Sequence, residues 1–321
     1  MRAKRHHQVP VFYLRAFANS KEQVAVQDRT KSAPYYAGIR QVAVENNLYT
    51  VETSSGDASD ELEREFSERE ASFAAAWHAF SEDSQKLSEE DRWLISEMVA
   101  FQYIRTNLQR ERMSNIKETA LRQLIGTTET SHEPSCEEAL NERLRDLNLH
   151  PSVAKQALSL HQDPSTSIDL PAEEWLGHRT EWIHAISEIV FAKKWYVFET
   201  RKRGFLTSDN PVCLCKSGVT AFSGVGFETA DEILVPINPR KCLVLTPTTH
   251  DRSVELIQIH ESDATQFRRV LMHNCVRQVI AHPMDTHFFG QNEPMAERVI
   301  LATNQRLVTF GDRKRGHAPV G

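Results

Sequence analysis

Apolar and polar positions along this chain change their period twice. Residues 1–52 alternate in short stretches, and 23–27 and 47–51 read as strands. From residue 57 the apolar positions recur at helical spacing. Leu62, Phe66, Phe73 and Trp77 share one face, with Glu and Arg opposite, which predicts a helix from a cap at Asp57 or Ser59 to about Phe80. Ser88-Glu89-Glu90-Asp91 has the form of a capping box and opens what should be the longest helix, to about Ile125. Leu94, Met98, Phe101, Arg105 and Leu108 fall on one of its faces, so an arginine sits on an apolar stripe. Helices are further predicted near 136–147 and 151–162, and from Pro171 to about Phe191.

Beyond residue 192 the runs become short and β-branched: 194–199, 205–207, 212–215, 233–235, 242–245 and 256–259. A helix over 261–281 and a strand pair at 286–289 and 306–310 complete the pattern. Strands, helices, strands and a helix in that order predict an α+β fold with a mixed, mainly antiparallel sheet. The expected organisation is N-terminal strands (1–56) that join the sheet, an inserted long-helix subdomain (57–191), a sheet-rich core with one helix (192–311) and a loose tail (312–321).

Composition narrows the classes. The chain has 321 residues, 40% of them apolar, enough for a sizeable core. Its 38 Lys+Arg against 44 Asp+Glu give a net charge of −6, which argues against a globally basic nucleic-acid binder but leaves room for a local basic patch. No apolar run approaches the roughly 18 residues that span a bilayer, and no leader-like apolar run follows the charged start, so the expected location is the cytoplasm. Five scattered cysteines read as reduced core residues.

Four motifs stand out. The opening Arg5-His6-His7-Gln8-Val9-Pro10-Val11-Phe12-Tyr13-Leu14-Arg15-Ala16-Phe17-Ala18 joins two histidines to an aromatic amphipathic turn, and Val24-Ala25-Val26-Gln27-Asp28-Arg29 follows soon after. Gly204-Phe205-Leu206-Thr207-Ser208-Asp209-Asn210-Pro211-Val212 is a strand ending in a turn, and Phe101-Gln102-Tyr103-Ile104-Arg105-Thr106 carries the arginine of the apolar stripe. In these patches the chain resembles the bacterial family called domain of unknown function 4238. The resemblance implies an arrangement of residues and no particular reaction.

The candidate site gathers these polar residues. His6 and His7 point to opposite sides of an extended segment, so at most one faces a shared pocket; His7 is favoured as general base or metal ligand. Asp209 would position water or metal, and Arg105 would stabilise developing negative charge or else form an internal ion pair with Asp28, Asp209 or Glu97. Asn210, Arg15, Arg201, Arg203 and Tyr13 are candidate substrate contacts, and Asp28 is a candidate ligand for a divalent metal ion. Cys213 and Cys215 share a strand face, but no second ligand pair supports zinc. In the basic aromatic segment 193–203, Trp195 and Phe198 could stack on bases while Arg201 and Arg203 hold phosphates, or the aromatics could be core. The expected activity is that of a hydrolase, nuclease-like, acting on a phosphodiester or other anionic substrate such as nucleic acid. The competing expectation is a non-catalytic recognition module in which the same cluster is structural. An open cleft would favour the first, and mutually satisfied burial the second.

Overall fold

A computed structural model describes residues 5–52, 58–59, 61–129, 144, 146–147, 149–163, 165–216, 225–248 and 251–289. The strands are β1 (Arg5–His7), β2 (Gln23–Asp28), β3 (Tyr35–Gly38), β4 (Val44–Asn46), β5 (Val51–Glu52), β6 (Ala58–Ser59), β7 (Lys193–Glu199), β8 (Thr207–Ser208), β9 (Cys213–Cys215), β10 (Glu232–Asn238), β11 (Lys241–Thr248), β12 (Val254–Gln258) and β13 (Gln278–Ala281). The helices are α1 (Val11–Arg15), α2 (Glu61–Glu82), α3 (Glu89–Ile104), α4 (Asn107–Glu129), α5 (Pro151–Gln162), α6 (Ala172–Trp175), α7 (Arg179–Ala192) and α8 (Glu261–Asn274). The fold is α+β, and its sheets are mixed but mainly antiparallel.

A five-stranded sheet in the order β12-β7-β11-β10-β9 is the platform, and its one parallel pair is β12 with β7. Strict alternation decides what covers each face. Trp195, Val197, Ile233, Val235, Leu243 and Leu245 join the helices in the larger core, where Phe80 of α2 meets Trp195 edge-on at 5.8 Å. Phe198, Leu234, Cys242 and Val244 face the other way, against Phe267 and Leu271 of α8. Buried Trp195 and Phe198 are therefore core and cannot stack on bases, which corrects the nucleic-acid reading of that segment. The helices and the larger sheet face share one apolar cluster, so the helical segment is packed into the main core.

A second sheet, β3-β2-β13-β8, carries the N-terminal strands, and two ribbons pair β1 with β4 and β5 with β6. The first residues fold back onto this sheet. Tyr13 of α1 is fully buried, its hydroxyl 2.9 Å from Thr207 Oγ1 and donating to the Pro236 carbonyl at 2.7 Å.

Five elements depart from the sequence pattern. The long helix predicted to about Ile125 is broken at Arg105–Thr106. There the Arg105 carbonyl accepts the Tyr49 hydroxyl at 2.7 Å and the Asn107 N–H donates to Gln8 Oε1 at 3.0 Å, so residues from outside the helix satisfy both sides of the break. The helix expected from Pro171 stops after Trp175 and restarts at Arg179. Gly177 lies between, where a Cβ would come 2.7 Å from the Glu173 carbonyl oxygen. The helix expected over 261–281 ends at Asn274, and its last predicted turn is instead strand β13. Most of the strand expected over 47–51 is instead the turn between β4 and β5, with Asn47 at φ 54°, and only Val51 is in a strand. The 286–289 stretch forms a 3-10 turn within Pro283–Phe288. Most of the expected 136–147 helix, the 306–310 strand and the 312–321 tail lie outside the described residues. Among the described residues, no helix is long and apolar enough to cross a membrane.

Arg92 locks the helical layer to the sheet. It is buried and donates to three carbonyls, of Phe191, Arg252 and Lys193, at 3.0, 2.9 and 2.7 Å, with its guanidinium 4.1 Å from the Trp195 ring centroid.

Candidate functional site

Alternation along β1 separates the two histidines. His6 is fully buried, its Nδ1 accepts the Tyr49 N–H at 2.8 Å, and its ring lies parallel to that of Tyr49 with centroids 5.4 Å apart. It is an internal residue. His7 turns to the face it shares with Arg5; it is half-buried, and its Nδ1 is buried without a hydrogen-bond partner. Burial, then the positive charges of Arg105, Arg40 and Arg5, lower its pKa from 6.5 to about 4. Its imidazole is neutral at physiological pH.

Behind His7 lies Arg105, at the end of α3. Its guanidinium pairs with Glu70, donates to the His7 carbonyl and reaches the Tyr49 hydroxyl at 3.3 Å, while the rings of Phe101, Phe66 and Tyr49 stand 4.7, 5.2 and 5.5 Å from it. Burial opposes its charge, but Tyr49 and Glu70 outweigh this and leave its pKa raised. Burial pushes the Tyr49 phenol up to about 12. The internal ion pair is thus made with Glu70 and not with Asp28, Asp209 or Glu97, which corrects the expected partners.

The two aspartates lie in a separate cluster. Asp28 is fully buried in β2 and accepts from Arg277 Nε at 2.9 Å, Gln278 Nε2 at 3.1 Å and the Thr30 hydroxyl at 2.6 Å. Burial alone would raise its pKa, yet Arg277 and the Thr30 and Gln278 donors hold it well below the usual carboxylate range. Asp209 accepts the backbone N–H groups of Val276, Arg277 and Gln278 at 2.9, 2.7 and 2.9 Å. Burial raises its pKa, which these three donors only partly offset. Beside it Asn210 and Asn274 bond reciprocally, each side-chain amide to the other's carbonyl, at 3.1 and 3.0 Å. The clusters communicate through Gln278, whose Oε1 accepts the Ala43 N–H at 2.8 Å, and through Ala43, whose carbonyl accepts the Gln8 N–H at 2.8 Å. Ala43 is held at φ 49°, a conformation an L-residue adopts only under constraint.

A metal centre built from His7, Asp28 and Asp209 is not what the structure forms. Among the described residues no group of three or more His, Cys, Asp and Glu side chains could hold a metal ion. Cys213 and Cys215 are free and buried. Of the expected substrate contacts, Tyr13 and Asn210 are buried, Arg15 pairs with Glu22 at 3.1 Å, Arg203 pairs with Asp285 at 3.0 Å, and Arg201 is exposed. A cavity of about 320 Å³ lined by Val51, Leu62, Ala172 and Leu176 includes none of the predicted site residues.

Sequence reasoning missed Tyr49, Glu70, Gln8 and Gln278. Glu70 is one acid among many on α2, and nothing in its spacing marks it. Arg5 and Arg40 are a different matter. Both are exposed, neither forms an ion pair among the described residues, and both act on His7. The sequence carried that signal for Arg5, a basic residue beside the histidines, but not for Arg40, which only the fold brings near them.

The low pKa of His7 has a measurable consequence. Between about 6.5 and 4 the unfolded chain binds a proton at this position that the folded one refuses, so His7 contributes stability above pH 6.5 that is lost as pH falls toward 4. Discounted for its partial exposure, this amounts to about 1–2 kcal/mol. In urea unfolding, the drop in stability from pH 7.5 to pH 5 should be smaller in His7→Gln than in the unsubstituted protein. Equal drops would show that His7 titrates freely.

The chain matches the family model described as a protein of unknown function (DUF4238) over residues 5–285, and it belongs to that family. No curated protein and no solved structure matches it.

Proposed function

We propose that this member of the DUF4238 family is a recognition module for an anionic, phosphate-bearing ligand, bound at the Arg5, His7 and Arg40 face of the β1–β4 ribbon. One observation carries the reading. Two exposed arginines that form no ion pair among the described residues flank a neutral, half-buried histidine, whereas His6, Asp28, Arg105 and Asp209 are buried and held by hydrogen bonds within the fold. Guanidinium groups suit phosphate oxygens because their N–H donors form a planar fork, and a neutral imidazole supplies a further N–H donor. Buried Arg105 and its half-buried partner Glu70 hold the ribbon from behind and keep His7 oriented. Nucleic acid is the extended form of such a ligand.

A second reading, phosphodiester hydrolysis, rests on His7 alone. A neutral imidazole beside positive charge is the state a general base requires, and Arg5 and Arg40 would stabilise negative charge developing on the phosphate. Asp28 and Asp209 have no part in it, since their oxygens are committed to Arg277, Thr30, Gln278 and backbone N–H groups.

The test is titration with inorganic phosphate and with a fluorescent single-stranded oligonucleotide at low and physiological salt. Arg5→Gln combined with Arg40→Gln should weaken binding by about 10- to 100-fold, the loss of two charge-assisted contacts. No binding by the unsubstituted protein, or equal binding by the double variant, would sink the reading. Oligonucleotide cleavage that His7→Gln abolishes at unchanged affinity would favour hydrolysis over recognition alone.

A further inference from the structure

The cavity of about 320 Å³ lies where three helices begin. Glu61 and Leu62 open α2, Ala172 and Glu173 open α6, Arg179 opens α7, and Val51 of β5 adds a further wall. Gly177 makes the convergence possible. A Cβ there would come 2.7 Å from the Glu173 carbonyl oxygen, so glycine lets the chain turn tightly enough for Leu176 and Arg179 to return beside Ala172 and Glu173.

The lining divides by chemistry. Leu62, Ala172 and Leu176 are at most 6% exposed and, with Val51, form an apolar floor. Glu61 is exposed and Glu173 half-buried, which puts carboxylates on the solvent side. The cation of the lining, Arg179, is already engaged: it donates to Glu65 at 2.5 and 3.1 Å and to the Leu176 carbonyl at 3.3 Å. Glu61 forms no ion pair among the described residues. Helix starts favour anions, but each of these supplies its own in the first turn, Glu61 and Glu63 in α2, Glu173 and Glu174 in α6 and Glu181 in α7. The balance left at the mouth is negative. A packing fault would be a closed gap among apolar groups, whereas this one has an apolar floor and a charged rim, at the lower end of the roughly 300–1,000 Å³ that small-ligand sites occupy.

We infer that this cavity binds small primary amines with an apolar body, the body on the floor of Leu62, Ala172 and Leu176 and the ammonium between the carboxylates of Glu61 and Glu173. An ammonium carries enough N–H donors to serve both, and an acid in its place would meet like charge. The inference does not rest on the phosphate-binding reading: neither Arg5, His7 nor Arg40 lines the cavity, and the charge preference is the opposite one.

Full-length ¹⁵N-labelled protein is titrated with hexylamine, butylamine, hexanol and hexanoate, and amide chemical shifts are followed. Hexylamine should shift amides 61–62 and 172–179 saturably. It should bind about 10-fold more tightly than butylamine, because two further CH₂ groups leave water. Hexanol should bind about 5-fold more weakly than hexylamine, for want of the ion pairs, and hexanoate more weakly still. Glu61→Gln combined with Glu173→Gln, both outside the core, should remove the preference for amine over alcohol and leave hexanol binding unchanged. Four results would each overturn the proposal: no saturable shift at these amides, no gain from butylamine to hexylamine, hexanoate binding as tightly as hexylamine, or an amine preference that survives the double substitution.

Discussion

Arg105→Met should cost about 3–5 kcal/mol of folding stability, because it removes a fully buried charge that several buried or half-buried partners share. The Glu70 carboxylate loses its counter-ion, the His7 carbonyl loses its donor, and the Tyr49 hydroxyl loses one of its contacts. Three aromatic rings also lose a cation at their faces. Arg105→Lys should recover little, since a single ammonium cannot reach Glu70, the His7 carbonyl and Tyr49 together as the planar fork does. Glu70→Gln with Arg105→Met should lose less than the two single changes summed, because the pair fails as a unit. Urea denaturation of the four proteins measures this directly. A loss below about 1 kcal/mol for Arg105→Met would mean that the arginine is not the fastening point of the N-terminal ribbon. The ribbon would then move independently of the α3–α4 break, and the orientation of His7 would need another cause.

Asp209→Asn should cost about 2–4 kcal/mol, although it changes one atom type. The carboxylate offers acceptors to three successive N–H groups, at Val276, Arg277 and Gln278. An asparagine has one acceptor oxygen and turns an NH₂ toward donors, leaving at least one amide unsatisfied in a buried turn. The damage should be local as well as global. Amides 276–278 should lose hydrogen-exchange protection before those of β7 or β11, since the carboxylate fixes the place where α8 ends and β13 begins. Intact stability with lost function would instead point to a catalytic Asp209. That outcome would revive the hydrolytic reading in the form that includes this residue.

These two residues explain why distant motifs depend on one another. The Thr207–Val212 corner stops α8 and starts β13, and Gln278 of β13 then reaches Asp28 and Ala43. Ala43 holds Gln8, and Gln8 caps α4 at the break beside Arg105. The opening of the chain is therefore spliced into the helical layer through backbone groups that a continuous helix would have satisfied by itself.

Periodicity alone determined much of this protein. Alternation along β7, β10 and β11 places Trp195 and Phe198 on opposite faces, the 3.6-residue spacing of Leu62, Phe66, Phe73 and Trp77 forms the buried side of α2, and extended geometry separates His6 from His7. Such signals survive in one dimension because they arise from neighbours a few residues apart. The partners of the polar residues do not. Glu70 meets Arg105 across 35 positions and Asp209 meets Val276 across 67, and many acids or amides would have served equally well on local grounds. For the same reason the sequence pattern ran α3 into α4 and α8 into β13: helix propensity is local, whereas the hydroxyl of Tyr49, the side chain of Gln8 and the carboxylate of Asp209 are delivered by tertiary packing. Packing also decides which basic groups are paired: Arg105, Arg277 and Lys194 meet Glu70, Asp28 and Asp251, while Arg5 and Arg40 form no ion pair among the described residues.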